Sequence, residues 1–99
     1  MGKFVLAFRG GGGAPSTPEE GAAVMAAWGA WFESIADSVV DPGAPFGASM
    51  AVGGEVTANL NGYSILEAAS LPDAAALVGG CPILADGGTI EIYEAHQMG

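Results

Sequence analysis

One strand-then-helix unit in the middle of the chain decides the fold, and residues 61–73 carry it: NGYSILEAASLPD. The segment Tyr63 to Ala68 is rich in aromatic and β-branched residues, which predicts a strand. Ser70 follows as a helix N-cap, with proline in the first turn and Asp73 at the third helical position. The stretch therefore predicts a strand that leads directly into a helix, and we expect that helix to end near Val78.

A second unit of the same kind lies at the N-terminus. Phe4, Leu6 and Phe8 alternate with other side chains at the period of two that is typical of a strand. Thr17 precedes Glu20 by three residues, with proline between them, so a capping box marks the start of a helix. The first unit is therefore again a strand followed by a helix.

The first helix has an apolar stripe at steps of three and four residues: Val24, Trp28, Phe32, Ile35 and Val39, joined by Met25 and Trp31. This spacing predicts an amphipathic helix of about five turns. We expect it to end at Asp41-Pro42-Gly43, because proline cannot continue the helical hydrogen bonds. Trp28 lies at the centre of the stripe, so we expect it in the core.

The remaining strands complete a familiar order. Ala48 to Val52 and Glu55 to Leu60 are expected as short strands joined by a hairpin turn at Gly53-Gly54. Thr89 to Glu94 alternates as the last strand, and Ala95 to Gly99 forms a polar tail. The order β-α-β(β)-α-β predicts an α+β, ferredoxin-like split β-α-β sandwich: an antiparallel sheet with two helices on one face, in a single domain spanning residues 1–99.

Composition narrows the range of partners. Hydrophobic residues make up 51% of the 99 residues, and only Lys3 and Arg9 oppose eleven acids, which gives a net charge of −9. This charge repels phosphate backbones and anionic lipid head groups, so we expect neither nucleic acid nor membrane as a partner. Two helices cover only one face of a sheet, so a second copy of the chain is expected on the other face, making a homodimer.

The cysteine count and the N-terminus suggest a compartment. Cys81 is the single cysteine, so an intrachain disulfide cannot form and a reducing compartment is the simple interpretation. The apolar run from Phe4 to Phe8 is too short for a signal peptide and is followed at once by Arg9. We therefore expect a cytoplasmic protein.

The same segments resemble the YCII-related superfamily. In the second half of the chain, the resemblance is carried by residues 61–74, Gly80-Cys81-Pro82 and residues 88–92. In the first half, it is carried by the first strand, by Pro18-Glu19-Glu20 and by the helix with Met25, Trp28 and Phe32. It implies a dimeric α+β barrel of two ferredoxin-like subunits, with a pocket between sheet and helix or inside the barrel. Some relatives are similar to dehalogenating or isomerising enzymes of aromatic breakdown. One branch is proposed to use a histidine and aspartate pair, and this chain has Ala22 and Ala23 where that branch carries its histidine.

Several familiar sites are not predicted. The glycine run 10–13 fits neither the P-loop pattern nor a dinucleotide fingerprint, so it is interpreted as a plain loop. One histidine, His96, one cysteine and scattered carboxylates make no ligand cluster, so no metal and no cofactor is expected. The neighbours of Cys81 include neither a base nor a cation, which favours a buried structural thiol.

One constellation remains as a candidate site. Strand parity places the apolar set on the helix side of the sheet: Phe4, Leu6, Phe8, Leu66, Ile90 and Ile92. The opposite face receives Lys3, Arg9, Tyr63, Glu67, Glu91 and Tyr93. In the usual strand order of this fold Arg9 lies near Tyr63 and Glu91, and Lys3 lies near Glu67. The candidate ligand-pocket residues are therefore Arg9, Tyr63, Glu67, Glu91 and Tyr93, and no catalytic residue is assigned.

Two interpretations of this constellation stay open. In the first, the charged side chains simply neutralise one another across a dimer barrel. In the second, this face of the sheet orients a small polar or aromatic ligand. The corresponding functions are a small enzyme, a lyase or isomerase acting on a cyclic metabolite with a glutamate as proton shuttle, and a non-catalytic dimeric ligand-binding or accessory protein.

Overall fold

The computed structural model describes residues 1–11 and 15–96. Part of the predicted glycine loop, residues 12–14, and the end of the predicted tail, residues 97–99, lie outside the described residues.

The described residues form four strands, three helices and one 3-10 turn. In chain order they are β1 Gly2–Arg9, α1 Pro18–Ser34, the 3-10 turn Ala36–Ser38, β2 Val39–Pro45, β3 Leu60–Ala68, α2 Leu71–Leu77, α3 Pro82–Ala85 and β4 Thr89–Ala95. The strands make one sheet in the order β2-β3-β1-β4, and every neighbouring pair is antiparallel. This arrangement confirms the predicted fold class and the predicted position of β1 between the third and fourth strands. Among the described helices, none combines the length and the apolarity needed to cross a membrane.

The core lies between the sheet and its helices. Phe4 and Leu6 of β1 and Leu66 of β3 are at most 2% exposed, as the period-two pattern predicts. The main cluster joins side chains from the sheet, α1 and the α2–α3 region: Leu6, Phe8, Trp31, Ile35, Leu66, Val78, Cys81 and Ile83. All the helices therefore bury their apolar sides against the same sheet face.

Both predicted helix starts are confirmed in detail. The Thr17 hydroxyl accepts a hydrogen bond from the backbone N–H of Glu20 at 3.1 Å, and the Ser70 hydroxyl accepts one from that of Asp73 at 3.2 Å. These caps satisfy N–H groups that have no partner inside the helix.

Trp31, rather than Trp28, is the central aromatic residue of α1. Its side chain is buried, and its indole N–H donates to the carbonyl of Leu77 at 3.2 Å, which joins α1 to α2. Trp28 is half-buried and packs edge-on against Phe8 with ring centroids 5.2 Å apart. The stripe predicted from spacing thus contacts the core only in its C-terminal half, and Met25 stays 78% exposed.

The prediction that α1 runs to residue 41 is wrong. The helix ends at Ser34, the 3-10 turn follows, and Asp41-Pro42-Gly43 lies inside β2. β2 is an edge strand, where a proline without an N–H group is tolerated. Gly43 has φ +75°, and a Cβ there would collide with the carbonyl of Tyr63, so this glycine permits an irregular pairing that a larger residue would prevent.

The predicted hairpin at residues 48–60 is also wrong. Residues 46–59 form no strand, and β3 begins at Leu60. Both sides of β3 are already paired, one with β1 and one with β2, so this segment has no neighbouring strand edge there to join. It remains a long loop with Met50 and Val52 almost fully exposed.

The short helix α3 was not predicted, because four residues are too few to show a helical period.

Removing the Trp31 ring should destabilise the domain more than any other aromatic truncation in α1. We expect Trp31→Ala to lower the free energy of unfolding by about 3–5 kcal/mol, because a large buried side chain leaves a cavity. Chemical denaturation followed by circular dichroism measures this, with Met25→Ala as the exposed control. A smaller loss for Trp31→Ala than for Trp28→Ala would contradict the assignment.

Candidate functional site

The sheet face away from the helices is called the open face here. Strand register places Lys3, Val5, Ala7 and Arg9 of β1 along its centre. The flanking positions on the other strands are Asp41 of β2, Tyr63, Ile65 and Glu67 of β3, and Glu91 and Tyr93 of β4. All five residues predicted for the site therefore lie on this face.

Arg9 and Glu91 form the predicted ion pair. A guanidinium nitrogen, Nη1, lies 3.3 Å from Oε2 of Glu91, and the two side chains are 29% and 42% exposed. The other nitrogen, Nη2, donates to the carbonyl of Ala58 at 3.1 Å. Arg9 thus connects the last strand to the long loop between β2 and β3.

Tyr93 completes this cluster. Its hydroxyl donates to Oε1 of Glu91 at 2.5 Å, so both oxygens of the carboxylate are engaged. The hydrogen bond to Glu91 and the negative charge of that carboxylate raise the pKa of Tyr93. Tyr93 is consequently a phenol, able to donate a proton, throughout the neutral range.

Tyr63 belongs to a second phenol–carboxylate pair. It lies opposite Ala7 in the register, and its hydroxyl donates to Oδ2 of Asp41 at 3.4 Å, not to a partner near Arg9. The other oxygen of Asp41 accepts the backbone N–H of Gly43 at 2.8 Å. The Phe46 ring is stacked on Tyr63, with centroids 5.9 Å apart and planes 16° from parallel.

Glu67 stands apart from the other four predicted residues. It is directly opposite Lys3, as the sequence predicts. Lys3 and Arg9 are six residues apart on one strand, a distance of about 20 Å. The structure therefore brings Arg9, Glu91 and Tyr93 together, places Tyr63 across β1 from them, and leaves Glu67 at the far end.

A shallow trough separates the two phenol–carboxylate pairs. Ala7 is paired with Tyr63 on one side and with Glu91 on the other, so a methyl group lies between two long side chains. The Cα atoms of Tyr63 and Glu91 are two strand spacings apart, about 10 Å. Val5 and Ile65 extend the floor as apolar side chains.

A cleft of about 620 Å³ opens beside this trough. It is lined by residues 46–49 and 56–61, none of which carries a charge. Three hydrogen bonds connect residues of this cleft to the end of β1. Arg9 donates to the Ala58 carbonyl, and the backbone N–H of Gly10 donates to the Asn59 carbonyl. The side-chain amide of Asn61 donates to the Gly10 carbonyl. A second cavity, about 300 Å³, lies elsewhere, at residues 33–38 and Leu77.

Charge is distributed unevenly over the molecule. The open face carries both cations of the chain, Lys3 and Arg9, with only three of its eleven carboxylates. That leaves a net charge of −1 on this face, against −9 for the whole chain. The open face is therefore the surface where an anionic molecule meets the least repulsion.

Neither Cys81 nor His96 joins the site. Cys81 is 2% exposed, and burial raises the pKa of its thiol to about 11, so it is not a thiolate at neutral pH. The His96 side chain is 82% exposed, and its Nε2 lies 3.7 Å from Oε1 of Glu94. Within residues 1–11 and 15–96, no three metal-ligating side chains come together.

Sequence reasoning missed Asp41 and Phe46. Asp41 was interpreted as part of a helix stop, so no sheet face was assigned to it. Phe46 is the residue after β2, and its place beside Tyr63 depends on the irregular β2–β3 pairing, for which the glycine at position 43 was the available signal.

The comparisons support the fold. No family model matches the chain, and no curated protein matches it. A solved structure that is similar is 5-chloro-2-hydroxyhydroquinone dehydrochlorinase (TftG) from Burkholderia phenoliruptrix AC1100, in complex with 2,5-dihydroxybenzoquinone. Its TM-score is 0.52 at 20% sequence identity, and the match covers 89% of this chain and 90% of that one. This likeness shows a shared fold; the YCII-related resemblance has no matching family model behind it.

The Arg9–Glu91 pair should show measurable coupling. We expect Arg9→Met to lower the free energy of unfolding by about 1–2 kcal/mol, since it loses bonds to a carboxylate and to a carbonyl. The partly exposed pair itself should contribute about 0.5–1 kcal/mol in a double-mutant cycle with Glu91→Gln. Thermal and denaturant unfolding measure both quantities, with Lys3→Met as a control on the same strand. Strictly additive single changes would mean that the pair does not form in solution.

Proposed function

We propose that this protein is a YCII-related enzyme, a lyase or isomerase that acts on a small cyclic metabolite, with Glu91 as the proton shuttle. The observation that carries the proposal is the Arg9–Glu91–Tyr93 cluster, which stands beside an uncharged cleft on the least acidic face of the chain. A carboxylate, a guanidinium and a phenol are together the groups that move a proton and hold the resulting negative charge.

The three side chains have distinct roles in such a reaction. The carboxylate of Glu91 accepts a proton from the ring. Arg9, which is paired with Glu91, supplies the positive charge that stabilises the oxygen on which negative charge develops, and Tyr93 is a phenol that can return a proton. In an elimination, the electron pair of the broken bond to hydrogen becomes a ring double bond, and the leaving anion departs with its own bonding pair. In an isomerisation, the proton returns to a different ring atom.

The structural comparison agrees with this proposal. The similar dehydrochlorinase holds a small oxygenated ring, 2,5-dihydroxybenzoquinone. At 20% identity this likeness extends to the fold alone, so the proposal of an activity for this chain rests on the Arg9–Glu91–Tyr93 cluster.

We also propose a cytoplasmic location, supported by the buried single thiol of Cys81.

The reaction should depend on Glu91. Exchange of ring protons with D2O, followed by NMR, reports proton transfer to and from a ring even when no product accumulates. We expect exchange or turnover with 5-chloro-2-hydroxyhydroquinone, and a loss of about 10²–10⁴-fold in Glu91→Gln. Glu67→Gln, at the far end of the open face, is the matched control and should keep the wild-type rate.

A second candidate function is a non-catalytic, dimeric ligand-binding or accessory protein. The observation in its favour is that both oxygens of Glu91 are already bonded within the chain, to Arg9 and Tyr93. Ring binding without proton exchange, or equal exchange rates in wild type and Glu91→Gln, would favour this candidate over the enzyme.

We propose in addition that the protein is a homodimer in which the open faces of two copies meet. Val5, Ala7 and Ile65 give this face an apolar centre, and its net charge of −1 lets two copies approach there. Light scattering at micromolar concentration should give twice the 9.7 kDa chain mass. Val5→Glu, which adds a charge at the centre of the face, should shift the protein towards monomer, whereas a wild-type monomer would overturn the dimer.

A further inference from the structure

The Phe46 side chain lies between the Tyr63 ring and the cleft. It is stacked nearly parallel on the Tyr63 ring. It is also one of the residues that line the cleft. Its side chain remains 46% exposed, so one part of the ring is covered by protein and another part is accessible from the cleft.

The stacked pair is anchored through the backbone of Phe46 and through the hydroxyl of Tyr63. The backbone N–H of Phe46 donates to the Asn61 carbonyl at 2.7 Å, which fixes the start of the loop against β3. The Tyr63 hydroxyl is held by Asp41, whose other oxygen is bonded to the backbone of Gly43. An aromatic surface anchored in this way loses little freedom when a ligand binds to it.

The remainder of the cleft suits an uncharged, flat molecule. Its other lining side chains are small, aliphatic, hydroxyl or amide groups, and one of the lining residues, Ala58, accepts a hydrogen bond from Arg9 through its carbonyl. A planar ring can lie with its whole face on an aromatic side chain, whereas the puckered ring of a saturated compound touches it with only a few hydrogen atoms.

We propose that Phe46 is a stacking platform, and that it makes the site selective for planar, unsaturated rings over puckered rings of the same size. This inference rests on the proposed function, which requires only a small cyclic substrate, and it narrows that substrate to one class. Phe46 is a specificity residue in this scheme and takes no part in proton transfer.

A matched pair of uncharged probes tests the platform without requiring turnover. Hydroquinone and trans-1,4-cyclohexanediol carry the same two oxygens on six-membered rings, but only the first is planar. NMR titration under anaerobic conditions gives the Kd of each for the purified protein. We expect hydroquinone to bind about three- to tenfold more tightly, the range that aromatic stacking supports.

Three variants separate stacking from simple contact. Phe46→Leu keeps an apolar side chain and should remove the preference for hydroquinone while leaving cyclohexanediol binding unchanged. Phe46→Trp restores an aromatic face and should restore the preference. Val52→Ala changes a residue of the same loop that is 98% exposed, and should leave both Kd values unchanged.

The outcomes separate this inference from the proposed function. Equal binding of the two probes by the wild type, an unchanged ratio in Phe46→Leu, or no binding of either probe overturns the platform. A preference that depends on Phe46 in a protein that shows no Glu91-dependent exchange supports the platform and overturns the enzyme. Glu91-dependent exchange without ring discrimination overturns the platform alone.

Discussion

The pairing of β1 on both of its sides is the constraint on which the rest of the molecule depends. β3 and β4 are both aligned against this one strand, and its alternation sends Phe4, Leu6 and Phe8 into the core while Lys3 and Arg9 reach the open face. A shift of the register by one residue would exchange those faces, placing both cations under the helices and three large apolar side chains in water. Burial of the apolar set therefore also fixes where the only two cations of the chain are.

The position of the two cations explains why the open face is nearly neutral although the chain as a whole is strongly acidic. Most carboxylates lie on helices, turns and loops, where water solvates them, whereas two of the three on the open face have specific partners. Glu91 is bonded to Arg9 and Tyr93, and Asp41 to Tyr63 and Gly43. Each of these two carboxylates thus combines a place in the sheet with specific hydrogen bonds that hold its orientation.

Local signals in the sequence were sufficient for β1, for β3 and for the starts of α1 and α2. The caps at Thr17 and Ser70 and the alternation from Phe4 to Phe8 each depend on neighbouring residues alone, so they were predicted correctly. The pairing of Arg9 with Glu91 followed from strand parity and the usual strand order. β2 could not be found in this way: a strand containing Asp-Pro-Gly is stable only because it lies at an edge beside β3. Phe46 and Asp41 were missed for the same reason, since their places depend on that tertiary pairing.

Gly43 ties two parts of the open face to one backbone position. Its left-handed conformation and its close approach to the Tyr63 carbonyl let β2 bend, and the bend places Asp41 on one side of it and Phe46 on the other. A substitution of Gly43 would therefore displace the side chains of Asp41 and Phe46 together, even if both residues were retained. In a comparison of related chains, loss of this glycine would mark proteins whose open face has taken a different shape.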